Sequence, residues 1–152
     1  MITNFELEDI AEKRGLDLIG VFSKDTLPVE KVAGSYIVNL QDHNDGDGTH
    51  WVAFKLFSNA KCCYFDSFGM PMPADVNSWL MKFKPVATSN RHIQDIKSQL
   101  CGYFCLAFIE YFNDIDPKKE DVFEKFDDFL NCFSTNEKTN DKIVMELLNK
   151  YK

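Results

Sequence analysis

The sequence lacks a long apolar run and a start typical of exported proteins. None of its hydrophobic stretches approaches the roughly 20 residues that a membrane-spanning helix requires. The first stretch, MITNFELEDIAEKRG, carries acidic side chains and has no apolar core of the signal-peptide kind. We therefore expect a soluble, intracellular protein without a membrane partner. Linkers, repeats and low-complexity segments are also missing, so residues 1–152 are predicted to form a single domain.

An excess of positive charge is missing as well. The chain has 17 lysine and arginine residues against 24 aspartate and glutamate residues, which gives a formal net charge of −7. Proteins that bind nucleic acids usually present a basic patch that neutralises phosphates. DNA is therefore not expected as a main partner, although Lys82, Lys84 and Arg91 could form a small local patch.

Patterns typical of zinc sites and disulfide frameworks are absent too. The five cysteines include no paired C-x-x-C motifs, and the chain has only three histidines, His43, His50 and His92. The C-x3-C spacing of Cys101 and Cys105 is a weak metal signal by itself. An odd number of cysteines in an intracellular chain argues against a disulfide framework. We expect neither a metal nor another cofactor.

The apolar residues and turn signals that are present predict an α+β fold. Thr3 and Glu6 fit a capping box before the first helix, and Asp116 with Pro117 fits the start of a later helix. Strands occupy the middle of the chain, with helices at its ends and packed against the strands. Helices are predicted at 4–14, 75–83, 101–113, 117–131 and 139–150, strands at 16–22, 35–40, 50–57, 61–66 and 91–96, and an exposed loop at 41–49.

One of the cysteines stands out as a candidate nucleophile. Cys101 begins the apolar helix, where unpaired backbone amides and the helix dipole stabilise a thiolate. Cys105 lies one turn deeper, where burial favours the neutral thiol. The remaining cysteines occupy less favourable places, mid-strand or near a helix end: Cys62, Cys63 and Cys132. The next residue, Gly102, has no side chain and could let a substrate or another backbone approach closely.

A histidine and an aspartate on the predicted hairpin could activate that thiol. If the turn comprises the three residues 58–60, Val52 faces Asp66, and His50 becomes the diagonal neighbour of Asp66 on the same face. A two-residue turn would place the pair on opposite faces. Asp66 could then accept a hydrogen bond from one ring nitrogen of His50, while the other nitrogen faces the thiol.

Each of these residues also has an ordinary structural interpretation. A histidine after a loop is commonly a surface residue, an aspartate at the end of a strand commonly forms a turn, and a cysteine in an apolar helix commonly packs in the core. His43, Asp45 and Asp47 are expected to be loop residues of this ordinary kind. The residues alone leave the catalytic and the structural interpretations open.

Three segments resemble one protease family. GTHWVAF (48–54), YFDSFG (64–69) and QLCGYFC (99–105) are similar to the histidine, acid and cysteine blocks of adenovirus-type cysteine proteases, in the same order. In that family a glutamine before the nucleophile helps to form the oxyanion hole. Gln94, seven residues before Cys101, matches its spacing, whereas Gln99 fits less well.

The resemblance implies a papain-like or adenain-like fold, with a central mixed sheet flanked by helices. It implies that Cys101 is the nucleophile, His50 its base and Asp66 the orienting acid. It also implies that Gln94 donates to the oxyanion, together with a backbone amide near the start of the helix. By the same resemblance Trp51 would screen the active site, although a partly buried strand aromatic is an equal interpretation.

The chain also departs from the adenovirus pattern. The third catalytic position is an aspartate, as in the ubiquitin-like-protein proteases that share the fold, rather than a glutamate. The adenovirus enzyme uses DNA and a short peptide as cofactors, and the net charge of −7 argues against DNA here. The compact size is similar to that of the virophage and Maverick-type (polinton) proteases, which are thought to mature capsid proteins.

The resemblance therefore implies a monomeric cysteine endopeptidase that cleaves viral capsid precursors near glycine or other small residues. It would work in the cytoplasm of the host, at the viral factory, or in the virion. Two alternatives remain at this point. The first is an isopeptidase for ubiquitin-like modifiers, and the second is a non-catalytic binding module that kept the protease fold.

Overall fold

The computed structural model describes residues 1–41 and 50–150, so most of the predicted loop at 41–49, with His43, Asp45 and Asp47, lies outside the described residues. In chain order the elements are α1 (Asn4–Lys13), β1 (Leu18–Ser23), β2 (Gly34–Asn39), β3 (Trp51–Leu56), β4 (Cys62–Phe65), α2 (Ala74–Trp79), β5 (Val86–Thr88), α3 (Cys101–Phe112), α4 (Val122–Leu130), a short 3-10 helix (Glu137–Thr139) and α5 (Asn140–Lys150). Within this part of the chain, no helix combines the length and the apolar character needed to cross a bilayer.

The strands form one mixed sheet in the order β1-β2-β3-β4-β5. The two outer pairs are parallel, and β3 runs antiparallel to both of its neighbours. Side chains alternate between the two faces, as the strand period of two requires. Ala53 and Phe65 pack against the helices of the main core, whereas Phe54 and Tyr64 pack on the other face beside α2. The predicted α+β fold with a central mixed sheet is confirmed.

The helix that carries the candidate nucleophile is buried on nearly every face, as predicted. Nine of the 12 residues of α3 are buried. Phe108 stacks on Phe65 of the sheet, with ring centroids 5.5 Å apart, and it also contacts Phe126 and Phe129 of α4. Because these rings join α3 to the sheet and to α4, the start of α3 has a fixed position relative to the hairpin.

The strand predicted at 91–96 is wrong. The fifth strand is Val86–Thr88, and the chain then turns away from the sheet. The backbone amides of Ile93 and Gln94 both donate to the carbonyl of Ser67, at 2.8 and 2.9 Å, so they bond to a turn and do not extend the ladder. The segment 91–96 is therefore irregular, and it buries two consecutive residues, Ile93 and Gln94.

The start predicted for the helix 117–131 is also wrong. The helix begins at Val122, because the side chain of Asp121 accepts from two first-turn amides and acts as the N-cap. Asp116 instead closes a separate turn, in which its carbonyl accepts from two amides three and four residues later. Asp116 and Asp121 both fit the N-cap of a helix, and Asp121 is the residue that caps α4.

Candidate active site

The register of the β3–β4 hairpin follows the predicted three-residue turn. Phe57 and Lys61 close the turn, with the amide of Phe57 donating to the carbonyl of Lys61 at 2.9 Å. Ala53 pairs with Phe65 in the ladder, so the same register places Val52 opposite Asp66. The predicted register is confirmed, and it puts His50 and Asp66 on one face at the end of the sheet.

The side chains of His50 and Asp66 are in direct contact. The distance from Nε2 of His50 to Oδ1 of Asp66 is 2.6 Å, and the carboxylate is fully buried. The backbone amide of Phe68 donates to the same carboxylate oxygen at 2.8 Å. Since an ionised carboxylate only accepts, Nε2 carries a proton and Nδ1 is the nitrogen left for proton exchange.

The imidazole of His50 also interacts with the thiol of Cys101. Burial lowers the pKa of His50, but hydrogen bonding to Asp66 and Cys101 and the charges of those two groups outweigh it and raise the pKa from 6.5 to about 9. Nδ1 nevertheless has no partner of regular hydrogen-bond geometry among the described residues. The thiol and the ring therefore interact at a looser geometry than that of a regular hydrogen bond.

The position of Cys101 differs from that of the other cysteines. Cys101 is the first residue of α3, and the amides of that first turn have no partners within the helix. Burial raises the pKa of the Cys105 thiol well above its usual value, and burial raises that of Cys63 to about 12. Cys62 is buried beside Cys63, and Cys132 is exposed. All five thiols are free, and Cys101 alone among them adjoins His50 in the described structure.

A phenylalanine that the sequence reasoning missed covers the histidine. The ring of Phe68 lies on the imidazole of His50, with centroids 4.5 Å apart and planes tilted by 30°. On its other side Phe68 meets the ring of His92 edge-on. An aromatic contact of this kind favours one orientation of the imidazole. The sequence signal that could have identified Phe68 was an aromatic residue two positions after Asp66, in the turn that begins at Asp66.

The turn after the acid is rigidly held. The hydroxyl of Ser89 accepts from the amide of Asp66 at 2.9 Å and donates to its carbonyl at 3.0 Å. Gly69 closes the turn with φ at +67°, and a Cβ there would lie 2.6 Å from the carbonyl oxygen of Arg91. A side chain at this position would therefore displace the segment that packs on the turn.

The structure bonds the side chain of Gln94 to Ser67, which follows Asp66, and to Ser98, which lies three residues before Cys101. Its Oε1 accepts from the hydroxyl of Ser67 at 2.6 Å, and its Nε2 donates to the carbonyl and to the hydroxyl of Ser98 at 3.0 and 3.1 Å. Gln94 is fully buried, whereas Gln99 is exposed. In this structure the side-chain amide of Gln94 joins the segments of Ser67 and Ser98, whereas the first amides of α3 have no partners within the helix.

The neighbours of Gly102 differ from those expected. A Cβ at Gly102 would lie 2.3 Å from Cγ2 of Ile2 and 3.5 Å from Cδ1 of Trp51. The residue makes room for a side chain from the start of the chain, rather than for a substrate or another backbone. Trp51 is buried, and its indole N–H donates to the carbonyl of Ile2 at 3.3 Å.

Two further possibilities from the sequence, a small basic patch and a metal site, can be compared with the described residues. The guanidinium of Arg91 donates to the carbonyls of Leu130 and Phe133, so it does not join Lys82 and Lys84 as a free surface cation. Within residues 1–41 and 50–150, no group of three or more histidine, cysteine, aspartate or glutamate side chains could hold a metal ion.

Comparison with known proteins adds information on the fold. No protein-family model matches the sequence, and no curated protein matches it. Two crystal structures of the ASFV pS273R protease are similar to this chain at 18% sequence identity, with TM-scores of 0.57 and, for the Se-Met form, 0.53. Each match covers 95% of this chain and 66% of the protease chain, so the chain spans slightly less than two thirds of that protein. The chain therefore has the α+β fold of the ASFV pS273R protease.

Proposed function

We propose that this protein is a cysteine endopeptidase in which Cys101 is the nucleophile, His50 the acid–base and Asp66 the residue that orients the base. The observation that carries the proposal is the bond of 2.6 Å between Nε2 of His50 and Asp66, which leaves Nδ1 as the nitrogen available to Cys101, the first residue of α3. A base held by a third group and aimed at a nucleophile is the arrangement that covalent peptide hydrolysis needs.

The proposed reaction begins with attack of the Cys101 thiolate on the carbonyl carbon of the scissile bond. The electron pair of the C=O bond moves to oxygen, and the unpaired amides at the start of α3 stabilise that oxyanion. Nδ1 of the His50 imidazolium then gives its proton to the leaving amine as the C–N bond breaks, which leaves a thioester. A water molecule transfers its proton to Nδ1 and attacks the thioester, and the C–S bond breaks to release the acid and the thiolate.

The proposal extends to the substrate. We infer that the substrates are capsid or other structural precursors of a virus, cut near glycine or other small residues, and that the enzyme acts as a monomer in the host cytoplasm or the virion. The similarity of the GTHWVAF, YFDSFG and QLCGYFC segments to adenovirus-type proteases supports this inference. The fold of the ASFV pS273R protease supports the peptidase assignment.

The direct test is incubation with candidate capsid precursors, with the cut site identified by mass spectrometry. The Cys101→Ala variant is expected to lose cleavage completely, because no other described thiol adjoins His50. The Cys132→Ala variant removes an exposed thiol and is expected to cleave at the rate of the unchanged protein. Cleavage by the Cys101→Ala variant at an unchanged rate would show that another group is the nucleophile.

An isopeptidase is the second candidate, and one observation favours it. The third member of the site is the fully buried Asp66, whereas adenovirus-type proteases carry a glutamate there. Such an enzyme would dock a folded modifier, so an aldehyde derived from ubiquitin or SUMO should label Cys101. Strong labelling supports the isopeptidase, and its absence beside capsid cleavage supports the endopeptidase.

A further inference from the structure

The segment that leads from the acid to the nucleophile is held by the C-terminal part of the chain. We call residues 89–98 the connecting loop, because it follows β5 and ends before α3. Polar contacts tie this loop to α4, to the 3-10 helix and to α5. They are Arg91 to the carbonyls of Leu130 and Phe133, His92 to Glu137, Asn140 to the carbonyl of Ile93, and Ser98 to Asp141.

The anchor at the start of α5 is fully buried. Nδ2 of Asn140 donates to the carbonyls of Ile93 and Ser134, at 2.8 and 2.9 Å, and its Oδ1 accepts from the amide of Ser134 at 2.8 Å. With three bonds and no exposed surface, Asn140 fixes the first turn of α5 against the connecting loop. The next residue, Asp141, is thereby presented to Ser98.

The hydroxyl of Ser98 joins a hydrogen-bond network of three other groups. It can donate a single proton, and it gives that proton to Oδ1 of Asp141 at 2.7 Å. A carboxylate only accepts, so the hydroxyl proton of Ser98 points to Asp141. The lone pairs of the Ser98 oxygen are then left to accept from other groups. They accept from Nε2 of Gln94 at 3.1 Å and from the amide of Leu100 at 3.2 Å.

The two groups that donate to Ser98 belong to residues beside the two parts of the candidate site. Leu100 is the N-cap of α3 and directly precedes Cys101. Gln94 holds the hydroxyl of Ser67, which directly follows Asp66. The side chain of Asp141 is therefore connected, through one hydroxyl, to the start of the nucleophile's helix and to the turn of the acid.

We propose that Asp141 and Ser98 are positioning residues of the active site, and that α5 sets the distance between Cys101 and the pair of His50 and Asp66 through them. This inference rests on the proposed peptidase function. Neither residue touches the reacting atoms. They act through Leu100 and Gln94, and a small displacement of reacting groups is sufficient to slow catalysis strongly.

The kinetic test compares three substitutions at the two positions. Ser98→Ala and Asp141→Ala are expected to lower kcat by about 10- to 100-fold with little change in KM, because the substrate still binds while the reacting groups are misplaced. Asp141→Asn keeps an acceptor oxygen, and its kcat is expected to stay within about threefold of the unchanged protein. Glu146→Ala, on the exposed side of the same helix, is the matched control and should change neither parameter.

A second measurement reports on the network without any substrate. Hydrogen exchange of the Leu100 amide should speed up about tenfold in Ser98→Ala and in Asp141→Ala, since its acceptor is lost or redirected, and it should be unchanged in Glu146→Ala. If both alanine variants melt at lower temperature while kcat and Leu100 exchange stay unchanged, the two residues are merely structural and the inference is wrong. If exchange responds but the unchanged protein cleaves no peptide, the network stands and the peptidase proposal fails.

Discussion

At the scale of single residues, the contact between His50 and Asp66 carries most of the proposed chemistry. Asp66 fixes the tautomer of the ring and helps to keep it protonated, because its hydrogen bond and its charge both raise the pKa of His50. The buried carboxylate also accepts from the amide of Phe68, so Asp66 contacts the His50 ring and the turn that carries Phe68. We therefore expect Asp66 to have two roles, one toward the His50 ring and one toward the turn, which substitutions can separate.

Substituting Asp66→Asn should show the catalytic role. The amide group is nearly the same size, but it is neutral and can donate to Nε2, which stabilises the wrong tautomer. We expect kcat to fall by about 10²- to 10⁴-fold, and the pKa of His50 to fall below its present value of about 9. Steady-state kinetics and an NMR titration of the His50 ring measure the two effects. An unchanged pKa would contradict the role of Asp66.

The pKa of His50 also predicts the behaviour of the protein in alkaline solution. The imidazolium is the proposed proton donor to the leaving amine, so kcat should fall as the pH rises through about 9. The folded pKa lies above the ordinary value of 6.5, so the charged ring stabilises the fold fully below pH 6.5, and that contribution is lost as the pH rises to about 9. The melting temperature of His50→Gln should show a smaller decline over the same range. An equal decline of the melting temperature in both proteins would show that the loss of stability does not come from His50.

Phe68 offers a test of how firmly the ring must be held. Phe68→Leu keeps an apolar cover but loses the ring that lies 4.5 Å from His50. An aromatic contact of this kind contributes about 0.5–1.5 kcal/mol, so we expect kcat to fall by about 2- to 10-fold. Kinetics with one peptide substrate, at equal melting temperature, measure the effect. A kcat equal to that of the unchanged protein would show that Phe68 does not hold the ring.

At the scale of elements, the hairpin and α3 could be predicted because their signals are local. The turn at 58–60 sets the parity of every pair in β3 and β4, and an apolar run with a polar start defines a buried helix. The segment 91–96 could not be predicted in the same way. Its two isoleucines suggested a short strand, but the amides of Ile93 and Gln94 bond to Ser67, a partner more than 20 residues away in the chain.

The burial of α3 predicts where the fold is most sensitive. Phe108 contacts Phe65, Phe112, Phe126 and Phe129, so Phe108→Ala would leave a cavity that no flexible neighbour can fill. We expect the free energy of unfolding to fall by about 3–5 kcal/mol in urea denaturation. Phe5→Ala, which changes an exposed ring on α1, should stay within about 0.5 kcal/mol. A similar loss in both variants would contradict the central place of Phe108.

At the scale of the whole molecule, the site is assembled from distant parts of the chain. His50 directly precedes β3 and Cys101 begins α3, and the connecting loop is bonded to Asn140 and Asp141 in α5. The identities of His50, Asp66 and Cys101 could be proposed from short segments and turn parity. The bonding of Gln94 could not, because it depends on Ser98 and on a C-terminal helix with no sequence signal of its role.

The ring of Phe68 lies between two imidazoles, those of His50 and His92. The protonation of either histidine changes the electric field across that ring. A single fluorine introduced at position 68 would therefore act as a spectroscopic reporter, and its NMR shift would follow the charge of the site during turnover. Comparing the reporter in Cys101→Ala and in His92→Gln would separate the signal of His50 from that of its neighbour.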